Sequence, residues 1–452
     1  MKPKSQITRN EVSHLFQSPL RQVVNVEHPL VMLADAIDWE AINCNLEPFY
    51  SDHGRPAEPT RVLMGLHFLK FAFDCSDEVV CARWVENPYW QYFCGMETMQ
   101  HAQPIDPSSL SRWRDRLGYD VFQKMLMLTV RAAVAFGLAK PEDFKEVAVD
   151  TTVQEKAIAH PTDARLYDKA RRILVKFMKR HNLPIRQTYD RVAEEDLRRH
   201  GRYCHAKQFN RAKAPRKSLR NYLGRIIREI DRNGKEALSS DPKFAEMLKR
   251  AKRIHTQKQK DQNKLYAMHA PEVHCIGKGK ARKPYEFGCK VGIVTSLKDN
   301  WVLSSLAFSG NPYDGHTLIA NIEQALGTLE GLSRIDLAVA DKGYKGHGVE
   351  CLCEVILSGT RRLCRSLKRK LKRRNSIEPV IGHMKEEHRL NRCHLKGVEG
   401  DQINALGAAI GFNFKKLLRG ILLTLSELML NWTQQHATKW GQHPLRLSKR
   451  SA

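Results

Sequence analysis

The spacing of apolar residues divides the chain into helical and strand-forming parts. Between residues 27 and 139 apolar residues recur every three or four positions, which is typical of helices. Within residues 59–73 this spacing predicts a helix with one core-facing stripe. A second long region, 157–270, keeps the same spacing despite its many charges. It is therefore expected to be a folded helical module and not a disordered tail.

Strand-like segments flank this second helical region. They are short β-rich runs at residues 146–150, 285–296, 301–308, 335–341 and 354–359. The run at 335–341 is almost wholly apolar, as expected of a central strand that is buried on both faces. Residues 298–300 form a predicted hairpin turn. The pattern indicates a mixed α+β or α/β fold with a helical insertion between its first two strands.

The charge balance narrows the function. The chain has 452 residues, with 75 Lys and Arg against 49 Asp and Glu, a net charge of +26. Such an excess suits a polyanion, either nucleic acid or an anionic membrane surface. The most apolar run, residues 420–430, has eleven residues, and a membrane span needs roughly 20. Eleven scattered Cys indicate a reducing compartment. We expect a cytoplasmic protein that binds nucleic acid.

The positive charge is concentrated in two places. Residues 161–260 hold 29 Lys and Arg against 11 Asp and Glu, a balance of +18. Residues 361–374 hold nine Lys and Arg and no acid. The first region offers Lys213, Arg216, Lys217 and Arg220 as contacts to a DNA backbone. The alternative is that these side chains are merely solvated and keep the chain soluble.

A well-marked helix stands near the end of the N-terminal region. Asp106 is a predicted N-cap, Pro107 follows at the first helical position, and Gly118 is predicted to end the helix. Arg112 and Arg114 lie near its start and could meet DNA as a recognition helix does. A structural helix with an exposed polar face explains the same pattern.

Three carboxylates occupy positions that suit a metal site. Asp150 and Asp341 each end a predicted strand, and Glu378 starts a predicted helix that Ser376 can cap. Oxygen ligands without Cys or His partners suit Mg²⁺ or Mn²⁺. Taken singly, each acid is more often a turn or cap residue. Helical geometry places Glu378, Lys385 and Arg389 on one face, and Arg389 is an expected DNA contact.

Several motifs together resemble the DDE transposases of bacterial insertion sequences, and most of all the insertion-sequence-five family. They are VDTTVQE at 149–155 with PTD at 161–163, ADKGY at 340–344, RNSIEPVIGHMK at 374–385, DPSSLSRWR at 106–114 and GFNFK at 411–415. The resemblance implies a ribonuclease-H-like catalytic core. It also implies that Asp150, Asp341 and Glu378 hold two Mg²⁺ ions, with Mn²⁺ as a substitute.

The resemblance also assigns domains and contacts. It implies an all-helical DNA-binding domain at 1–140 and a catalytic domain at 141–432 that contains the insertion 157–270, followed by a polar tail at 433–452. Arg374 and Lys385 fit the family's C-terminal signature, whereas Leu371 stands at its Tyr position. Lys385 would hold a terminal phosphate, and Lys342, next to Asp341, is a further expected DNA contact.

These observations predict a transposase that acts as an oligomer on double-stranded DNA. It would bind the terminal inverted repeats of its element, hydrolyse DNA at the ends, and join the 3′-OH groups to target DNA. Two alternatives stay open. One is a DNA-binding descendant without catalysis, and the other is a nuclease of the same fold that does not join.

Overall fold

The computed structural model describes residues 18–440 except 51–52, 54–56, 263, 278–282 and 350, and the side chains of residue 45 and of 428–440 are not described. The predicted polar tail therefore lies outside the described side chains. The fold is mixed α+β, as the alternation of periods predicts. In the described part of the chain, no helix is long and apolar enough to cross a membrane.

The N-terminal region is helical, as predicted. Its helices are α1 (Leu20–Val23), α2 (Pro29–Ala36), α3 (Trp39–Leu46), α4 (Thr60–Ala72), α5 (Asp77–Glu86), α6 (Pro88–Phe93) and α7 (Pro107–Ala135). Every residue of α4 except Arg61 is buried, so the prediction of a single core-facing stripe is wrong. The α4 helix is covered on its other side by a distant C-terminal helix, which local periodicity does not reveal.

Gly118 does not end α7. Asp106 caps the helix as predicted, because its Oδ1 accepts the Ser108 N–H at 2.8 Å. Gly118 adopts φ 64°, which kinks the helix, and the helix then continues to Ala135. The continuation buries Val121, Phe122 and other apolar residues in the core, which explains why the helix resumes.

The sheet combines antiparallel and parallel strands. Its members are β1 (Glu146–Lys156), β2 (His274–Gly277), β3 (Tyr285–Ser296), β4 (Val302–Phe308), β5 (Leu337–Ala340), β6 (Glu354–Leu357) and β7 (Arg392–Cys393). β3 lies antiparallel to β1 and carries β2 and β4 on its other edge. β5 and then β6 continue the sheet in parallel on the other side of β1. The strand predictions are confirmed in place, with shorter bounds for the last two.

Strand β1 is longer than predicted. It runs on for six residues past Asp150, so the prediction that Asp150 ends a strand is wrong. The polar side chains at the end of β1 are buried because residues distant in sequence form hydrogen bonds and ion pairs with them. The Gln154 side chain accepts from Asn404 at 2.9 Å, and Lys156 pairs with Glu272 and Asp401 at 2.8 and 2.9 Å.

The insertion is a folded helical module, as predicted. It comprises α8 (Asp163–Arg180), α9 (Asp190–His205), α10 (Phe209–Asn233), α11 (Lys235–Ser240) and α12 (Pro242–Thr256). Leu174, Leu223, Ile226 and Phe244 are among the buried residues of a hydrophobic cluster that is separate from the main core.

The remaining helices close the main core. They are α13 (Asp314–Thr328), α14 (Arg365–Arg373), α15 (Ile377–Glu387) and α16 (Gly397–Trp440). A Cβ at Gly407 or Gly411 of α16 would stand 2.2 or 2.3 Å from atoms of Phe71 in α4. These glycines let the two helices pack in direct contact. One hydrophobic cluster consequently includes the N-terminal helices, the sheet and α16.

Candidate active site and nucleic-acid interface

The parallel pairing of β1 and β5 brings the two predicted aspartates together. Ala148 pairs with Val339, and counting two residues onward on each strand sets Asp150 opposite Asp341. Asp341 directly follows the last residue of β5, as predicted. Two carboxylates that are 191 positions apart in sequence (341 − 150) therefore become neighbours at one place on the sheet.

Arg374 supplies a buried positive charge at this place. It begins a 3₁₀ turn, Arg374–Ser376, between α14 and α15, and its Nη2 lies 3.1 Å from Asp150 Oδ2. Asp150 Oδ1 accepts the Thr151 backbone N–H at 2.8 Å. Among the described residues, the buried Nε of Arg374 has no hydrogen-bond partner. The guanidinium thus reaches Asp150 with only part of its donor capacity used.

The three acids share one electrostatic environment. Burial raises the pKa of Asp150, and the negative charges of Asp341 and Glu378 raise it further, while Arg374 opposes the increase. A hydrogen bond from Ser358 Oγ lowers the pKa of Asp341, assisted by the Lys342 backbone N–H. Glu378 is exposed in the first turn of α15. Burial and the charges of the other two acids thus act together on Asp150.

The donor chemistry of these acids fits a hard divalent cation, because all three offer carboxylate oxygens and their negative potentials converge at Asp150. Within the part of the chain that the structure describes, however, no three His, Cys, Asp or Glu side chains are grouped so that they could hold a metal ion. The counter-charge at Asp150 is instead the Arg374 guanidinium.

Helix α15 carries Glu378 and Lys385 two turns apart, and Pro379 lies in its first turn, as predicted. The cap prediction is wrong, because Ser376 donates its hydroxyl to Asn300 Oδ1 at 2.7 Å. The 3₁₀ turn already winds Ser376 helically, so its side chain does not face the first free N–H groups of the helix.

Arg389 does not share a face with Glu378 and Lys385. Helix α15 ends at Glu387, and Arg389 adopts φ 68° beyond it. Its Nη1 lies 3.4 Å from Asp74 Oδ1 in the loop after α4. Lys385 remains on the helix, half-buried. The prediction that Arg389 shares the face of Glu378 and Lys385 is thus wrong, since the helix stops before reaching it, whereas a DNA contact of Arg389 stays a prediction.

The structure adds Asp314, which the sequence analysis did not select. Its Oδ1 accepts the Thr151 hydroxyl at 3.0 Å and lies 3.0 Å from Lys290 Nζ. Burial raises the pKa of the adjacent Tyr344 well above its usual value, and the charges of Asp150 and Asp314 add to this. Asp314 is the first residue of α13 and stands in the motif NPYDGHT at 311–317, the signal that could have identified it. The Asp314 carboxylate thus holds the side chain of Thr151, which follows Asp150 on β1.

Helix α14 presents a basic surface beside the acids. Lys370 pairs with Glu146 at 2.6 Å, and Arg373 donates to the Leu297 carbonyl at 2.9 Å, which fixes the helix to the sheet. Leu371, at the position of the family's Tyr, packs half-buried against the core. The exposed bases of the helix are Arg365, Lys368, Arg369, Lys372 and Arg373. Lys342 is also exposed, next to Asp341.

Arg114 is not available to DNA. It is 1% exposed and forms a two-pronged ion pair with Asp77, at 3.0 and 2.8 Å, which Lys70 also joins. The prediction of Arg114 as a DNA contact is wrong because this arginine stabilises the packing of α7 on α5. Arg112 is exposed on the same helix, and its Nη2 donates to the hydroxyls of Ser108 and Ser109, at 3.4 and 2.7 Å.

The basic residues selected on the insertion lie together on α10. Lys213, Arg216, Lys217 and Arg220 are all exposed, and spacings of three and four residues place them on one helical face. Arg216 lies 3.8 Å from Asp163, and Arg220 Nε donates to the His255 carbonyl. Because all four side chains are exposed, this face of α10 is positively charged and open to solvent.

Two parts of the chain match known protein families. Residues 18–116 match the family described as "Transposase domain (DUF772)", and residues 359–418 match the "Transposase DDE domain". The second match contains Arg374, Glu378 and Lys385. An uncharacterized protein, ORF8 in the nfe locus of Rhizobium meliloti, is 49% identical over 195 residues, which cover 43% of this chain and 94% of that protein. No solved structure matches the chain.

Proposed function

The chain belongs to the transposases with a C-terminal DDE domain, and from this premise we propose that it moves a DNA element. It binds the terminal inverted repeats of its insertion sequence, of the insertion-sequence-five type, as an oligomer. It hydrolyses DNA at the element's ends and joins the freed 3′-OH groups to target DNA by transesterification.

The observation that carries this proposal is the meeting of Asp150 and Asp341 on neighbouring parallel strands, with the charge of Glu378 acting at the same place. A mixed sheet with helices packed on it is also what a ribonuclease-H-like catalytic core requires. The basic α14 lies directly before Glu378 in the chain, so phosphates held by this helix come close to the three acids.

We assign roles within this core as follows. Asp150, Asp341 and Glu378 would hold Mg²⁺, which when bound supplies positive charge against the attacking and leaving oxygens. Lys385, two turns along α15 from Glu378, holds a terminal phosphate. Arg374, Lys342 and the exposed bases of α14 position the DNA backbone, so that the chain's own contribution is orientation and charge neutralisation.

A cleavage and joining assay tests the proposal. The terminal repeats are identified from the DNA that flanks the reading frame, and a labelled duplex with these ends is incubated with the protein, Mg²⁺ and a target plasmid. We expect cleavage at the element boundary and a covalently joined product. Binding without cleavage would instead indicate a non-catalytic descendant, and cleavage without a joined product would indicate a nuclease.

The basic face of α10 gives a separate prediction. We expect Lys213→Glu, Arg216→Glu, Lys217→Glu and Arg220→Glu together to flatten the slope of log K against log salt by up to about 3 units. These side chains would contact phosphates, which carry no sequence information, so specific and non-specific DNA should lose affinity alike. The measurement is a DNA-binding titration at several salt concentrations, with circular dichroism as the folding control. An unchanged slope in the folded variant would assign this face to solubility.

A further inference from the structure

We infer that Arg374 is an exchangeable counter-ion, which holds Asp150 while DNA is absent and moves to a DNA phosphate when an element end binds. This inference rests on the proposed function, and it adds a means by which DNA binding controls loading of the metal. It predicts that the protein without DNA binds divalent cations weakly, because a side chain of the protein occupies part of their site.

Arg374 and a metal ion would compete for Asp150. Its two carboxylate oxygens already have donors, since Oδ1 accepts the Thr151 N–H and Oδ2 faces Arg374 Nη2 at 3.1 Å. The Thr151 donor belongs to the strand backbone and cannot leave. Arg374 is a side chain on a flexible stem and can. A cation that binds Asp150 at Oδ2 must therefore replace the guanidinium.

The hydrogen-bonding capacity of Arg374 is only partly used where the side chain lies. The residue is 9% exposed, and its Nε is a buried donor without a partner among the described residues. A guanidinium has five N–H groups in a planar fork that matches the geometry of a phosphate. A phosphate beside the 3₁₀ turn would accept hydrogen bonds from the N–H groups of Arg374 that do not reach Asp150.

The 3₁₀ turn that begins with Arg374 lies directly after the basic helix α14. Arg374 directly follows α14, whose exposed bases are fixed at the sheet by the Lys370–Glu146 pair and by the Arg373 contact. DNA held by α14 therefore brings its backbone to the start of the turn. Once the guanidinium turns to that phosphate, the repulsion of Asp341 and Glu378 on Asp150 is no longer offset, which favours a divalent cation.

Manganese binding in the absence of DNA tests the exchange. Free Mn²⁺ is measured by electron paramagnetic resonance in titrations of the wild type, of Arg374→Gln and of Arg373→Gln. Arg373 is the matched control, because it is the adjacent arginine but donates to the Leu297 carbonyl. We expect Arg374→Gln to bind Mn²⁺ about tenfold more tightly than the wild type, equivalent to one unit in log K, and Arg373→Gln to match the wild type.

Two further measurements complete the test. The double variant Arg374→Gln with Asp150→Asn should lose the gain in Mn²⁺ affinity. This result would place the additional affinity at Asp150. A pre-cleaved duplex of the terminal repeat should tighten Mn²⁺ binding by the wild type but not by Arg374→Gln. Equal affinity of wild type and Arg374→Gln would overturn the exchange, as would a gain that survives Asp150→Asn.

The outcome is independent of whether the protein transposes, because the first titrations contain no DNA and measure no reaction. If Arg374→Gln does not fold, Arg374→Lys replaces it, since lysine keeps the charge but loses the planar fork. A wild type whose Mn²⁺ affinity is the same with and without the duplex would then overturn the inference.

Discussion

Asp150→Ala, Asp341→Ala and Glu378→Ala are each expected to abolish DNA cleavage and joining while binding to element ends persists. The three acids share one electrostatic environment, whereas contact with phosphate is assigned to Lys and Arg side chains. Removal of a single preorganised electrostatic group at an active site costs about 10²–10³-fold in rate, and loss of a metal ligand should cost at least as much. Product formation on labelled end DNA and gel-shift affinity are the two readouts.

Glu378→Gln separates charge from shape at the same position. It keeps the size and hydrogen-bonding capacity of the side chain but removes the charge that acts on Asp150. We expect it to be as inactive as the alanine variant. Glu386→Gln is the matched control, because Glu386 is an exposed acid on the same helix. A Glu378→Gln variant that retains most of its cleavage activity would make the role of Glu378 structural.

Arg114→Ala is expected to destabilise the fold strongly. Burial opposes ionisation of Asp77, but Arg114 and Lys70 hold its pKa below the usual range, so the acid is ionised inside the protein. Removing one partner from a buried ion pair costs up to about 3–5 kcal/mol, and Lys70, which stays paired with Asp77, offsets part of this cost. Thermal or urea unfolding, followed by circular dichroism, should show a clearly lower midpoint for this variant.

The adjacent arginine on the same helix provides the comparison. Arg112→Ala removes an exposed side chain and should change stability by at most about 0.5 kcal/mol, while it weakens DNA binding. A pair of variants with equal unfolding midpoints would mean that the Arg114–Asp77 contact does not stabilise the packing of α7 on α5. If DNA binding were weakened in Arg114→Ala but not in Arg112→Ala, Arg114 would be a DNA contact after all.

Local periodicity predicted the helices and strands well, but it did not predict their limits where distant residues decide them. The second half of β1 contains Gln154 and Lys156, which look like solvent-facing residues in the sequence. They are buried because Asn404, Asp401 and Glu272 satisfy them. Similarly, α4 has no exposed face because α16 covers it. The sequence of α4 alone does not indicate that a second helix packs there.

The same limit applied to the candidate site. The positions of Asp341 and Glu378 followed from element boundaries, and these boundaries are visible in the sequence. Arg114 and Arg389 were assigned to DNA because nothing nearby in the sequence shows that Asp77 and Asp74 pair with them. Asp314 was overlooked for the converse reason, since its partners Thr151 and Lys290 lie on strands far away in the chain.

The hydrophobic cluster common to the N-terminal helices, the sheet and α16 has a consequence for how an element's end is measured. Under the proposed function, a recognition surface on the N-terminal helices is joined to the sheet through this close-packed core, so the two would keep a fixed distance and a fixed angle. On a helical DNA track, an added half-turn between the recognised repeat and the cut bond would rotate that bond to the opposite side of the duplex. The distance from repeat to boundary is then a property of the protein's rigidity as much as of its DNA sequence preference.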